Sequence, residues 1–276
     1  MSKSWIHEQT QLNISQFDKA MEASCPESRT YIHDPKEYLA RISEQCNYLD
    51  AVKLIDWKSC LRKDCSVLDL GCGGGWLTGY LSKFDSVSAI YALDSSKYFL
   101  LDMLPEIVRL MGGRPEKIVQ IEGLFTPLMF EDGALDVVVA SSVLHHADSL
   151  DAMLREIRRV LKKNGLLVVL NETPSSGIRH VLSLSKAFLK IFLNALSHNY
   201  KSISASSSSC GYLYDPSLGD KDYPLWYWRE ALTRSGFSIF DIVDSRMATV
   251  KMKKGRSLTH SSPQRHGTLK TSSAST

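Results

Sequence analysis

An acid and alternating glycines, Asp69-x-Gly71-x-Gly73-x-Gly75, interrupt the stretch VLDLGCGGGWLTGYL. The run before them is short and apolar, and the run after them has a helical period. A glycine turn between a buried strand and a helix lets the backbone approach a ligand with no Cβ in the way. A dinucleotide would need Gly-x-Gly-x-x-Gly, with its pyrophosphate at the helix N-terminus. Counted from Gly71, the sixth position is Trp76, so that fingerprint is not met. Asp69 argues the same way, because a carboxylate beside the turn repels phosphate and suits a cation. A second acid, Asp94, ends the next apolar run, about 20 residues on, where a carboxylate accepts both hydroxyls of a ribose. A ligand with a ribose and positive charge but no phosphate is S-adenosylmethionine.

These residues need a scaffold, and the flanking pattern supplies one. SVLDL, VSAIYAL, KIVQIEG, ALDVVVASS and LLVVLN are continuously apolar, as strands buried on both faces are. Between them lie helices. WLTGYLSKF has Leu77, Tyr80, Leu81 and Phe84 on one face. Ser95 or Ser96 caps a helix running towards Met111. SLDAMLREIRRVLKKNG carries the stripe Leu150, Met153, Leu154, Ile157, Val160 and Leu161, with Lys162 and Lys163 at the dipole's negative end and Gly165 as C-cap. The alternation predicts a parallel sheet covered on both sides. Residues 1–64 read as a helical N-terminal cap, entered at Asp34-Pro35, with Leu39, Ile42, Cys46, Leu49 and Val52 at helical spacing. YPLWYWREALTRSGF is a further helix, and FSIFDIVDS and ATVKMKK are the last two strand candidates.

Residues 66 to 172 resemble the class I S-adenosylmethionine-dependent methyltransferases, in particular the group with ubiquinone-biosynthesis-type and small-molecule enzymes. Asp69, Gly71, Gly73 and Gly75 match that family's first motif and Asp94 its second. FEDGALDVVV and SSVLHHADSLDAMLREIRRVLKKNGLLVV echo its later ones. The resemblance implies an α/β, Rossmann-like, doubly wound sheet of seven strands, mostly parallel with the last antiparallel, and a helical insertion after strand five. The cofactor-binding domain would span 65–252, with 173–222 as a lid or substrate insertion and 253–276 as a disordered basic tail. It implies that Asp69 orients the cofactor's amino group, partly through the loop. Gly71, Cys72 and Gly73 would give backbone contacts, Asp94 and Ser95 would serve the ribose, and Ser141 would lie beside the methionine end. Leu124 departs from the pattern: the family usually has an Asp there that accepts from the adenine amino group. The base would instead bond to backbone near Phe125 and stack on apolar side chains.

Methyl transfer from a sulfonium chiefly needs positioning and exclusion of water, and a hydroxyl nucleophile gains from a base. His145 and His146, after strand four, and Glu172, after strand five, are the candidates. For each a plain packing or surface role stands as the alternative. Trp76, Tyr31 and Tyr38 read as helix packing, or as walls of the pocket. IRHVLSLSKAFLKIFLNALSH, residues 178–198, is apolar round most of its circumference, which suits a lid, an interfacial membrane contact or a buried cap.

Charge narrows the partners. From Lys253 onward five basic residues meet no acid, which leaves 28 Lys and Arg against 30 Asp and Glu in the body. A nucleic-acid surface is therefore not expected. ASSV after strand four lacks the Pro-Pro turn of enzymes that methylate base or glutamine amines. No apolar run is long enough for a transmembrane helix. The six cysteines show no zinc spacing, so no metal is expected and a reduced, cytoplasmic setting is. The expected activity is methyl transfer to a hydroxyl, amine or carbon of a small molecule such as a sugar, polyketide, lipid or quinone precursor. A nicotinamide oxidoreductase and a non-catalytic binding protein of the same fold are the competing readings.

Overall fold

The computed structural model describes residues 2–5, 33–44, 48–172, 223–244 and 267–273. The insertion 173–222, Tyr31 and the strand candidate at 248–254 lie outside them. The strands are β1 (Ser2–Ser4), β2 (Cys65–Leu70), β3 (Val87–Asp94), β4 (Ile118–Glu122), β5 (Leu135–Ser141), β6 (Leu161–Glu172), β7 (Phe237–Asp244) and β8 (Gly267–Ser273). The helices are α1 (Pro35–Glu44), α2 (Tyr48–Ala51), α3 (Trp57–Cys60), α4 (Trp76–Ser82), α5 (Leu104–Leu110), α6 (Leu150–Val160) and α7 (Leu225–Arg234).

One sheet has the order β1-β4-β3-β2-β5-β6-β8-β7. Neighbours from β1 across to β6 are parallel, and β8 runs antiparallel to both β6 and β7. Successive side chains of a strand point to opposite faces, and both faces here are covered. In β5, Val137 and Val139 pack with Val67, Leu77 and Trp57, while Val138 and Ala140 pack with Met153, Ile157 and Trp228. Burial on both sides explains why these strands lack polar alternation in sequence.

Strand order reverses between β2 and β5, which opens a crevice at the carboxyl edge. The register places Leu70 beside Leu93 and Ala140, Asp94 beside Glu122, and Ser141 beside Leu170. Asp94, Glu122, Ser141 and Glu172 thus end their strands along one rim.

The sheet has eight strands rather than the expected seven. Ser2–Ser4 lies within the expected helical cap and pairs with Gln120, Ile121 and Glu122 of β4. Gly267–Ser273 lies within the expected disordered tail, yet pairs with β6 and β7 at once. Both are short and polar. Their place is dictated by open backbone edges, which no hydrophobic period announces. The stripe of α6 is buried, but the helix stops at Val160. Leu161 is extended, buried and paired with Leu135, so Lys162 and Gly165 belong to β6 instead. Lys162 Nζ meets Asp136 at 2.8 Å. The helix ahead of Leu110 begins with a π turn, Phe99–Met103. Pro105 follows it, and a proline ring crowds the carbonyl four residues back and donates no hydrogen bond, which widens the turn.

Candidate cofactor and acceptor site

The turn after β2 is built round Gly71 and Gly73, both left-handed, at φ +64° and +51°. Their reasons for being glycine differ. A Cβ on Gly71 would strike the Val143 side chain, so this glycine lets the β5 exit pack against the turn. A Cβ on Gly73 would lie in ordinary contact with Tyr38 Oη, at 3.6 Å, so the left-handed backbone rather than crowding calls for glycine here. Cys72 is 4% exposed, donates its N–H to Leu93 O at 3.0 Å and accepts from Gly75 N at 2.9 Å. Burial, with Asp94 and Asp69 nearby, pushes its thiol well above the usual range. Its side chain frames the turn from within.

Asp94 ties the turn to β3. Oδ2 accepts from Gly73 N and Oδ1 from Ser96 N, each at 2.8 Å. Burial raises its pKa, opposed by the N–H groups of Ser96, Gly73 and Ser95 and by the nearby imidazole of His146. Each oxygen keeps lone-pair capacity for a ribose hydroxyl. Ser95 is half-buried beside it, while Ser96 Oγ accepts from Phe99 N at 3.4 Å and is the helix cap.

Asp69 is placed differently from expectation. It is 1% exposed, and Oδ2 accepts from Thr78 Oγ1 of α4 at 2.6 Å. A side chain with no open face does not touch a ligand's amino group; it braces the strand-to-helix turn. Burial pushes it up to about 7, with Asp94 adding and Thr78 opposing.

On the far side of β3, Gly123 donates its N–H to Asp94 O at 2.9 Å, and Leu124 follows, 43% exposed. Phe125 is half-buried and its Cε1 lies 3.4 Å from the Cβ position at Gly71. Trp5 backs this segment. Its N–H donates to Glu122 O at 2.7 Å, and its ring meets Phe130 edge-on at 5.3 Å.

At the β5 and β6 ends, a buried polar group organises the loop. Glu172 is 1% exposed. Its Oε1 accepts from Val143 N at 2.9 Å and Leu144 N at 2.8 Å, and Oε2 pairs with His145 Nδ1 at 2.8 Å. Charge-assisted bonds of this kind offset the cost of burying a carboxylate. Both oxygens are engaged, so Glu172 is neither a free base nor the solvated loop acid of the alternative. It holds the buried His145 through Nδ1. His146 is exposed, its ring 4.1 Å from that of His145. Ser141 is half-buried and accepts from Asn171 Nδ2 at 2.9 Å. Asn171 and Ser142 are both left-handed, at φ +56° and +54°, and Asn171 Oδ1 is buried with no partner.

The structure therefore gathers Asp94, Ser95, Gly71, Gly73, Phe125, Ser141 and His146 along one rim, with His145 buried beside Glu172. Asp69, Cys72 and Glu172 stand behind it. Trp76 is buried against Tyr48, with ring centroids 5.7 Å apart, and Tyr38 reaches over the turn. Thr78, Asn171 and Trp5 escaped the sequence reading, since one hydroxyl, one amide and one indole have no spacing to betray them. Among the described residues no group of three or more His, Cys, Asp or Glu could hold a metal. No described helix is long and apolar enough to cross a membrane.

The clamp of Asp94 on the glycine turn suits a nucleoside ligand. Known proteins agree. Residues 68–169 match the family model described as a methyltransferase domain. The sterol 24-C-methyltransferase of Gibberella zeae is 26% identical over 178 residues, covering 61% of this chain and 46% of that protein. The malonyl-acyl-carrier-protein O-methyltransferase of Legionella pneumophila is 31% identical over 133 residues, covering 48% of this chain and 41% of that protein. The chain thus spans less than half the length of these relatives. A SAM-dependent methyltransferase of Aquifex aeolicus shares the fold, with a TM-score of 0.51 at 15% identity over 94% of this chain and 98% of that one.

Proposed function

We infer that this protein, whose residues 68–169 are a class I S-adenosylmethionine-dependent methyltransferase domain, transfers a methyl group to a hydroxyl of a small molecule. The observation that carries the reading is the Asp94 clamp, which pins the glycine turn while keeping acceptor capacity for a ribose. When bound, the cofactor supplies an electrophilic methyl group on sulfur. Asp94 would hold the ribose, the Gly73 backbone would lie against the amino-acid part, and Ser141 would flank the methyl. His145 Nε2 would take the proton from the acceptor oxygen as the new carbon–oxygen bond forms. Glu172 acts through His145, as a positioning group, and steadies the imidazolium that results. The named relatives include a carbon and an oxygen methyltransferase, and the hydroxyl reading rests on the His145–Glu172 pair. The residues 173–222 that leave the sheet after Glu172 are the natural source of acceptor specificity.

Calorimetry with S-adenosylhomocysteine and with NADH tests the cofactor. Saturable binding of the first is expected. Asp94→Ala should weaken it about ten- to hundredfold, the worth of about 1–3 kcal/mol in hydrogen bonds to a charged group. Heat from NADH alone overturns the reading. Methyl-labelled cofactor incubated with a metabolite extract tests turnover by mass spectrometry. Labelled product should form with the wild type and fall sharply with His145→Ala, with S-adenosylhomocysteine affinity kept. A bound cofactor that never yields product makes this a binding protein of the same fold.

A further inference from the structure

Buried polar groups stitch the exits of β5 and β6 together. Ser142 N–H donates to Leu170 O at 2.9 Å, and Glu172 takes the N–H groups of Val143 and Leu144. Beside them Asn171 donates from Nδ2 to Ser141 Oγ at 2.9 Å. Ser142 and Asn171 both hold left-handed backbone, which residues with a side chain rarely adopt. Asn171 is 1% exposed, and its Oδ1 is buried with no hydrogen-bond partner. Strained backbone and an unsatisfied buried carbonyl both cost stability, and such costs gather where a structure serves a ligand.

The amide fixes what the hydroxyl beside it can do. A serine hydroxyl has one proton and two lone pairs. Nδ2 occupies a lone pair of Ser141, so the proton is left for another partner. Turning the amide over would put Nδ2, with two protons, in the sealed place of Oδ1, a costlier arrangement. Ser141 is half-buried at the rim, where the strand order opens the crevice between β2 and β5. Neighbouring backbone donors are already engaged. Cys72 N–H bonds to Leu93 O, Gly73 N–H to Asp94 and Gly75 N–H to Cys72 O, and those of Ser142, Val143 and Leu144 bond as above. The amino-acid part of the cofactor carries an ammonium, which only donates, and a carboxylate, which only accepts. A donor at Ser141 therefore pairs with the carboxylate.

We propose that Asn171 is a positioning residue for the cofactor: it holds the Ser141 hydroxyl with its proton towards the crevice, where that proton is donated to the carboxylate of the amino-acid part. This rests on the cofactor reading above. The probes are S-adenosylhomocysteine and methylthioadenosine, which keeps the nucleoside and the sulfur and lacks the amino acid. In calorimetry Ser141→Ala should weaken S-adenosylhomocysteine about tenfold, as loss of a hydrogen bond to a charged group does, and leave methylthioadenosine within about threefold. Asn171→Asp keeps the shape and the tolerance of left-handed backbone, but a carboxylate accepts, so Ser141 gives its proton inward. It should weaken S-adenosylhomocysteine as much, and add nothing in the Ser141→Ala background, where repulsion by a new charge would persist. Should Asn171→Asp fail to fold, Asn171→Gly keeps the left-handed backbone without a charge and should likewise lose affinity for S-adenosylhomocysteine alone. Unchanged S-adenosylhomocysteine affinity in Ser141→Ala, or equal losses there for both probes, overturns the proposal. Unchanged affinity in Asn171→Asp means the amide lies the other way, and losses that multiply in the double variant mean the two residues act apart; either overturns it too. If methylthioadenosine binds the wild type as tightly as S-adenosylhomocysteine, the nucleoside clamp stands and this inference alone falls. If neither probe binds, the cofactor reading itself falls, and this inference with it.

Discussion

Two carboxylates flank the glycine turn and are held in opposite ways. Asp94 accepts from the backbone N–H groups of Gly73, Ser95 and Ser96 and is half-buried. Asp69 is sealed in against Thr78, whose hydroxyl and backbone N–H both bond to it, and burial pushes it up to about 7 from 3.8. The folded protein therefore retains a proton that the unfolded chain has already lost between those values. The stability this contributes is complete below the ordinary carboxylate range and disappears as pH rises through about 7. Asp69→Asn, which cannot ionise, should thus gain on the cofactor-free wild type as pH rises, with the difference in melting temperature widening from acid to mildly alkaline solution. A difference that stays constant with pH would show Asp69 ionised throughout. At this scale the positions of the acids were legible in the sequence and their burial was not. Asp69 and Glu172 were visible as carboxylates near a rim, whereas their burial depends on Thr78, Val143, Leu144 and His145, which only the folded chain brings to them.

Elements were legible where an apolar period spans several turns. The α6 stripe and the run of Val137 to Ala140 could be placed from sequence because both bury their faces in the core. The end of α6 was not, since Leu161 continues the stripe in sequence while leaving the helix to pair with Leu135. β8 escaped for a stronger reason. GTLKTSS has no apolar alternation, and it becomes a strand because β6 and β7 offer edges on either side. A proline there removes a donor from the ladder. Leu269→Pro should destabilise the protein by about 1–3 kcal/mol through the stranded carbonyl, read as a lower midpoint in denaturant. An unchanged midpoint would detach β8 from the fold's stability.

The molecule as a whole draws its site from strand ends far apart in sequence, from Asp69 to Glu172, and the short edge strand at Ser2–Ser4 adds Trp5. A ligand held by such a rim binds only the folded state. S-adenosylhomocysteine at about 100 times its dissociation constant should add about 2.7 kcal/mol, or roughly 5–10 °C in melting temperature. NADH should add nothing, and a matching rise with NADH would contradict the cofactor assignment. The same long-range design has a temporal side. β8, which follows both of its neighbours in chain order, sits between two strands that leave the ribosome before it. Until residue 273 has been synthesised, β6 carries an unpaired border and β7 has no neighbour to join. A nascent or prematurely terminated chain therefore shows the cell an adhesive flank that the finished protein conceals.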